Sequence, residues 1–275
     1  MLAVCATPIG NLEDVTLRVL RELAEAELVL CEDTRHTKGL LDRHGIGAKL
    51  LSYHRHNEAQ RTAELLPRLE AGERVALVSD AGLPGVNDPG ARLIAAALEA
   101  GIPVTVLPGP SAVETALVAS GFAGERFQFL GYLPRGQKAL AGLWTELAGW
   151  PHPAVAFESP QRLPATLRSL ATALPDRPVA VCRELTKRFE EVVRGTPAEL
   201  AARFPEPPKG EITLVVGAGM AEREPADDGE ALVMPVGAVV ELVAAGVPRR
   251  QAVDVVARLA RVSRNTLYAE SLKSR

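Results

Sequence analysis

Two glycine- and proline-rich stretches carry the chemistry that can be read directly from this chain. The first, Ser79-Asp-Ala-Gly-Leu-Pro-Gly-Val-Asn-Asp-Pro-Gly90, follows the apolar run Val75-Ala-Leu-Val78 and precedes the helical spacing of residues 91–98. The second, Leu107-Pro-Gly-Pro-Ser111, closes the next apolar run. Gly and Pro at this density disfavour regular structure. Long loops at the carboxyl ends of buried strands are where open α/β sheets bind ligands. Bare backbone can approach a ligand that side chains would obstruct. One such loop reads as well as a surface connection. Two on successive strands predict a shared crevice, with Gly82 and Gly109 where backbone approaches the ligand.

Several other chemistries lack their residues. No Gly-x-Gly-x-x-Gly follows the first apolar run, no Gly-x4-Gly-Lys-Ser/Thr occurs, and no Gly-x-Ser-x-Gly elbow occurs. An ordinary dinucleotide site, a P-loop ATPase and a serine hydrolase are therefore not indicated. His54 and His56 are two residues apart, the wrong spacing for one helix face, and no Cys or carboxylate stands at matching spacing. No metal is expected. Cys5, Cys31 and Cys182 each sit in an apolar run, as buried free thiols of a reducing compartment would.

The elements that must hold the loops follow from periodicity. The 275 residues are 47% hydrophobic, enough for one large or two medium domains. Apolar runs at residues 2–6, 28–31, 50–53, 75–78 and 104–107 alternate with helical spacings. Strands that are nearly all apolar predict a mainly parallel sheet covered on both faces, within an α/β fold. A helix is expected to about Ser120. Beyond it, candidate strands at 126–130, 154–157, 179–182, 191–193 and 211–216 lie closer together, as in a mixed sheet. Helices are expected at 139–148, 162–173 and 197–204 between them. The expected division is a first α/β domain over 1–111, a second over 112–218, a linker over 219–235 and a helical segment over 236–275. No apolar run reaches about 18 residues and no basic stretch precedes the first one, so a cytoplasmic protein without membrane spans is expected.

Charge sets the last segment apart. The net charge is −3, yet residues 236–275 hold seven Lys/Arg against three Asp/Glu, or +4, which leaves −7 for the rest. Three short helices are expected at 236–245, 250–260 and 266–273, with Ser263 as N-cap of the last. A tight pair of helices flanked by arginines reads as a helix-turn-helix-like module that binds nucleic acid through Arg249, Arg250, Arg261 and Arg264. The competing reading is a small bundle that caps the protein.

The ordered motifs then point to a family. Thr7-Pro-Ile-Gly-Asn-Leu12, Glu32-Asp-Thr-Arg-His-Thr37, His56-Asn-Glu58, Val78-Ser-Asp-Ala-Gly82, Asn87-Asp-Pro-Gly90 and Pro108-Gly-Pro-Ser111 are followed by Phe157-Glu-Ser-Pro160, Arg183-Glu-Leu-Thr-Lys187 and Lys209-Gly-Glu211. The chain resembles the ribosomal RNA small subunit methyltransferase I family, ribose 2′-O-methyltransferases for a 16S rRNA cytidine with the tetrapyrrole-methylase fold. The resemblance is dense over residues 2–217 and looser beyond. One position departs: the family usually carries Thr after Ser-Asp-Ala-Gly, where this chain has Leu83.

The resemblance implies two α/β domains with S-adenosylmethionine in the cleft between them, a homodimer, and 16S rRNA or the 30S subunit as partner. It also implies cofactor contacts from Ile9, Leu83, Val86, Ser111, Ala112, Phe157, Arg183 and Gly210. Ile9, Val86 and Phe157 read equally as core, and Ser111 as an N-cap. A ribose hydroxyl is a poor nucleophile that a base would help. Asp33, His36, His56, Glu58 and Lys187 are the polar candidates near strand ends, and Arg35 could grip phosphate. An ion-pair network bracing the cleft or the dimer interface is the alternative for all of these. A small-molecule tetrapyrrole methylase and a non-catalytic RNA-binding protein are the rival functions. The basic tail and Glu32-Asp-Thr-Arg-His36 disfavour the first, and the intact Gly/Pro loops disfavour the second.

Overall fold

The computed structural model describes residues 1–219, 233–260 and 262–273. The chain divides into two compact units, Met1–Gly219 and Met220–Arg275.

The first unit opens with a parallel sheet of β1 (Leu2–Cys5), β2 (Leu28–Cys31), β3 (Leu50–Ser52), β4 (Val75–Val78) and β5 (Val104–Leu107), in the order β3-β2-β4-β1-β5. The inner strands β1, β2 and β4 are wholly apolar and buried because both faces are covered. Leu2, Val4, Leu28, Leu30, Val75 and Leu77 face one core, closed by Leu65 and Leu69 of α3 (Glu58–Glu70) and Leu93 and Ala97 of α4 (Ala91–Glu99). Ala3, Cys5, Val29, Cys31, Ala76 and Val78 face the other, closed by Val19 and Leu23 of α1 (Leu17–Glu25) and Leu41 of α2 (Thr34–Arg43). All five carboxyl ends therefore lie along one edge. Sequence periodicity does not announce α2. Its first turn is the polar Glu32-Asp-Thr-Arg-His36 stretch, capped by Asp33, and only Thr37, Leu40 and Leu41 are buried.

A helix, α5 (Ala112–Ser120), leads into a mixed sheet of β6 (Gln128–Tyr132), β7 (Ala154–Glu158), β8 (Val179–Arg183), β9 (Glu191–Gly195) and β10 (Ile212–Val216). The order is β6-β7-β10-β8-β9; β6 and β7 are parallel and the other pairs antiparallel. One face packs on α6 (Gln137–Ala148), α7 (Leu163–Ala173) and α8 (Pro197–Arg203), around Trp144, Leu147, Leu163 and Leu167. The other packs on Val113, Ala116 and Leu117 of α5, and Ile9 joins this core from the first sheet. Cys5, Cys31 and Cys182 are buried free thiols, and burial pushes Cys5 and Cys182 up to about 12.

The second unit holds α9 (Val233–Ala244), α10 (Arg249–Ala260) and α11 (Arg264–Lys273), each packed on the other two around Val239, Val253, Val256 and Leu267. Ser263 sits ahead of α11, its Oγ accepting from the Thr266 amide at 3.4 Å. The linker expected over 219–235 lies mostly outside the described residues, and α9 already begins at Val233.

Candidate active site

Three loops leave the carboxyl edge of the first sheet and lock together. Thr7 and Gly82 form a two-way backbone bridge, with Thr7 N to Gly82 O at 2.8 Å and Gly82 N to Thr7 O at 3.1 Å. Thr7 Oγ1 donates to Ser79 O at 3.0 Å, and Ser79 Oγ donates to Gly82 O at 3.0 Å. Gly82 has φ +78°, a conformation that favours glycine. A Cβ there would lie 3.7 Å from Pro110 O and 3.8 Å from Ile9 Cγ2, in the gap between the other two loops. Gly109 serves a different purpose. A Cβ on it would lie 2.8 Å from Ala6 Cβ, so this glycine lets the β5 loop pack on the β1 loop.

The same edge meets one end of the second sheet. A Cβ at Gly10 would approach Leu185 O and Lys187 Cγ to 2.6 Å, and the Asn11 amide donates to Thr186 Oγ1 at 3.0 Å. Glu184 and Thr186, both with positive φ, shape the turn that receives this contact. Phe157, Arg183 and Gly210 lie at that end of β7, β8 and β10, and Ile212 pairs with both Glu158 and Arg183. The two sheets thus meet edge to edge, and we refer to the junction as the cleft. Its wall is apolar at Ile9, Ala112 and Phe157, all packed in the α5 core.

The structure thus brings Ile9, Gly82, Ser111, Ala112, Phe157, Arg183 and Gly210 to the meeting edges of the two sheets. Ser111 precedes α5 without capping it, because its Oγ donates to Glu114 instead. Leu83 leans on the first sheet's core, whereas Val86 is 48% exposed. Arg183 is already held, with Nε to Glu191 at 3.0 Å and Nη1 to the Lys209 carbonyl at 3.2 Å.

The polar candidates are mostly engaged. Asp33 caps α2, accepting from the Arg35 amide at 2.9 Å and from its guanidinium at 2.7 and 3.1 Å. Those bonds hold its carboxyl well below the usual carboxylate range, which suits a cap and not a base. Arg35, 89% exposed in its side chain, keeps its outer face open. Glu58 accepts from Tyr53 Oη at 3.3 Å and from the Gly90 amide at 3.0 Å, tying α3 to the β4 loop. Lys187 Nζ lies 2.9 Å from Glu184 and 2.8 Å from Glu211. Burial opposes its charge, but the bonds to Glu211 and Glu184 outweigh it and raise its pKa, so it stays an ammonium. His36 is exposed on α2, and the exposed His56 stands edge-on to His54 with centroids 5.8 Å apart.

Sequence alone does not single out Asp88, although it lies in the Asn87-Asp-Pro-Gly90 motif. It sits half-buried in the β4 loop, beside Asn87, which meets Gly131 of β6 across the cleft. Burial, with Glu32 and then Asp80 adding negative charge, pushes its carboxyl up to about 6, while Arg55 and a hydrogen bond with Ser79 oppose the shift. Among the described residues no group of His, Cys, Asp or Glu is arranged to hold a metal ion.

In the second unit, Arg249 donates to the Ser271 carbonyl and Arg264 pairs with Asp254, so both brace the helices. Both therefore have partners within the helices that sequence alone does not show. Arg250 is exposed, and Arg261 lies outside the described residues.

Comparisons with known proteins agree with this geometry. The family described as Tetrapyrrole (Corrin/Porphyrin) Methylases matches residues 1–201. A ribosomal RNA small subunit methyltransferase I from Halalkalibacterium halodurans is 41% identical over 97% of this chain and 93% of its own. One from Thermotoga maritima is 45% identical over 78% of this chain and 97% of its own. Among solved structures, uroporphyrin-III C-methyltransferase from Thermus thermophilus, complexed with S-adenyl homocysteine, shares the fold with TM-score 0.55 and 21% identity, over 78% of this chain and 96% of that one.

Proposed function

Because the chain belongs to the tetrapyrrole methylases, and within them to the ribosomal RNA small subunit methyltransferase I family, we propose that it methylates the 2′-hydroxyl of a cytidine in 16S rRNA, with S-adenosylmethionine as methyl donor. The observation that carries this reading is the 41% identity to a named rRNA methyltransferase over 97% of the chain.

The cleft fits such a donor. Gly82 leaves a gap between Ile9 and Pro110 that a Cβ would fill. Ala112 and Phe157 supply an apolar wall for a flat ring, and loop backbone supplies polar atoms for a carboxylate and ribose. When bound, the donor supplies a methyl group on a sulfonium, open to displacement by oxygen. This chain's work is then alignment and proton removal. Asp88 is the group we assign to take the hydroxyl proton. A carboxyl with pKa about 6 is ionised at neutral pH and more basic than an ordinary aspartate. The ion-paired Asp33 and Lys187 hold the loops in place.

The reading extends to the 30S subunit as substrate, a cytoplasmic site of action and a homodimer. No helix among the described residues is long and apolar enough to cross a membrane. β5 is an edge strand with Val106 51% exposed, a surface suited to a second copy. Two measurements test the whole. Calorimetry with S-adenosylhomocysteine in chelator should give heat of binding. Ribose-methylation mapping of 30S subunits treated with the protein should show one new 2′-O-methylcytidine. Binding without any new mark would remove the rRNA assignment and keep the methylase one.

A further inference from the structure

A second concavity lies outside the cleft. It is a groove of about 830 Å³ between α6 and α7, lined by Tyr132, Arg135, Gln137, Leu140, Gln161 and Ala165 among others. That volume falls within the roughly 300–1,000 Å³ of pockets that take drug-sized ligands, so it has room for a nucleotide.

Bonds among its lining residues brace its frame, and Arg135 is left without an ion pair among the described residues. Glu158, with a fully buried side chain, accepts from Thr166 Oγ1 at 2.6 Å and from the Ser159 amide at 2.7 Å, and pairs with Arg162 at 3.3 Å. Arg162 also donates to the carbonyls of Leu133 and Pro134, which pins the β6–α6 loop to the start of α7. Glu158 and Arg162 cancel in charge. Arg135 is exposed and makes no ion pair among the described residues, so it sets the sign of the groove. α6 begins next to it, at Gln137, with Gly136 as an N-cap and no capping side chain, which adds a positive dipole end.

One ring connects the groove to Phe157. Tyr132 lines the groove, is 63% exposed, and stands edge-on to Phe157 with centroids 5.5 Å apart. An exposed tyrosine and an unpaired arginine, with Gln137 and Gln161 also in the lining as amide donors and acceptors, are the equipment that reads unpaired nucleotides. Aromatic faces stack bases, guanidinium grips phosphate, and amides bond base edges.

We propose that this groove is a subsite for a nucleotide of single-stranded RNA next to the one being methylated, its base stacked on Tyr132 and its phosphate held by Arg135. The proposal rests on the rRNA reading above. It assigns Tyr132 and Arg135 to substrate specificity and leaves the methyl donor to the cleft.

The test compares Tyr132→Ala, Tyr132→Phe and Arg135→Glu in the full chain. It measures steady-state methylation of 30S subunits, the same at several salt concentrations, and calorimetric affinity for S-adenosylhomocysteine. Tyr132→Ala should raise KM about tenfold or more, the loss of one base stack, while Tyr132→Phe keeps it near normal. Arg135→Glu should raise KM and flatten its salt dependence by about one bound phosphate. Cofactor affinity should hold in all three. If the unaltered protein methylates 30S subunits and both Tyr132→Ala and Arg135→Glu retain its KM, the groove proposal is wrong and the rRNA reading stands. A KM rise accompanied by an equal loss of cofactor affinity also overturns it, because Tyr132 would then act through Phe157. If the unaltered protein binds cofactor and leaves 30S subunits unmarked, both readings fall together.

Discussion

Asp88 shows what a single side chain's surroundings decide. Its pKa rises from 3.8 to about 6, chiefly through burial. The folded state therefore holds a proton between about pH 4 and 6 that the unfolded chain has released, and ionising it above that window costs stability. Replacing Asp88 with Asn should raise the melting temperature at pH 8 and change it little at pH 4. In the same variant, turnover on 30S subunits should fall by about 10²–10⁴, the usual worth of a general base, and the acid limb near pH 6 should vanish from the profile. Retention of that limb would assign the proton to another group. The two loop glycines separate in the same way. Gly82→Ala places a methyl where nothing is nearer than 3.7 Å, so cofactor affinity should drop, and positive-φ strain should cost only about 1–3 kcal/mol. Gly109→Val drives a side chain into Ala6 at 2.8 Å, so a lowered melting temperature should accompany any binding loss. Denaturation curves run beside calorimetry resolve the two.

At the scale of elements, the strands are legible in the sequence and the first-turn residues of α2 are not. β2 and β4 fall where their apolar runs do, because a strand buried on both faces leaves no polar position to blur its limits. α2 hides because its capping stretch is all polar and its buried side is only Thr37, Leu40 and Leu41. Asp33 and Arg35 read as free functional groups for the same reason: a sequence displays charge but not its partner. Glu58 and Lys187 share that fate, each satisfied by a group far along the chain, Gly90 or Glu211. Arg177 illustrates the cost of losing such a partner. It is buried, and its guanidinium donates to Leu147 O at 2.6 Å, Gly217 O at 2.9 Å and His152 O at 3.2 Å, joining α6, the end of β10 and the loop before β7. Arg177→Met should strip all three carbonyls and destabilise the first unit by about 3 kcal/mol or more. Chemical denaturation that shows under about 1 kcal/mol would mean that water replaces the guanidinium there.

At the scale of the whole molecule, the open question is what the basic second unit adds. The first unit carries both sheets, their cores and every cleft residue. The Thermotoga maritima relative matches this chain over 216 residues, 97% of its own length, which is close to the span of Met1–Gly219. That relative, a ribosomal RNA small subunit methyltransferase I, thus has about the length of the first unit. Truncation after Gly219 should therefore preserve affinity for S-adenosylhomocysteine and turnover at saturating substrate. What should change is KM, because residues 236–275 carry +4 on a chain whose remainder is −7. The arginines best placed for this differ from those expected from sequence alone. Arg249 and Arg264 are spent on Ser271 and Asp254, whereas Arg250 and Arg258 are exposed and make no ion pair among the described residues. Arg250→Ala with Arg258→Ala should reproduce part of the truncation's rise in KM. It should also flatten the dependence of log KM on log salt by about 0.7 for each phosphate no longer held. Arg264→Ala should instead loosen the α10–α11 pair and show itself first in the unit's own melting. An unchanged KM for both the truncated chain and the Arg250/Arg258 variant, measured on 30S subunits across a salt series, would strip the second unit of any part in binding RNA.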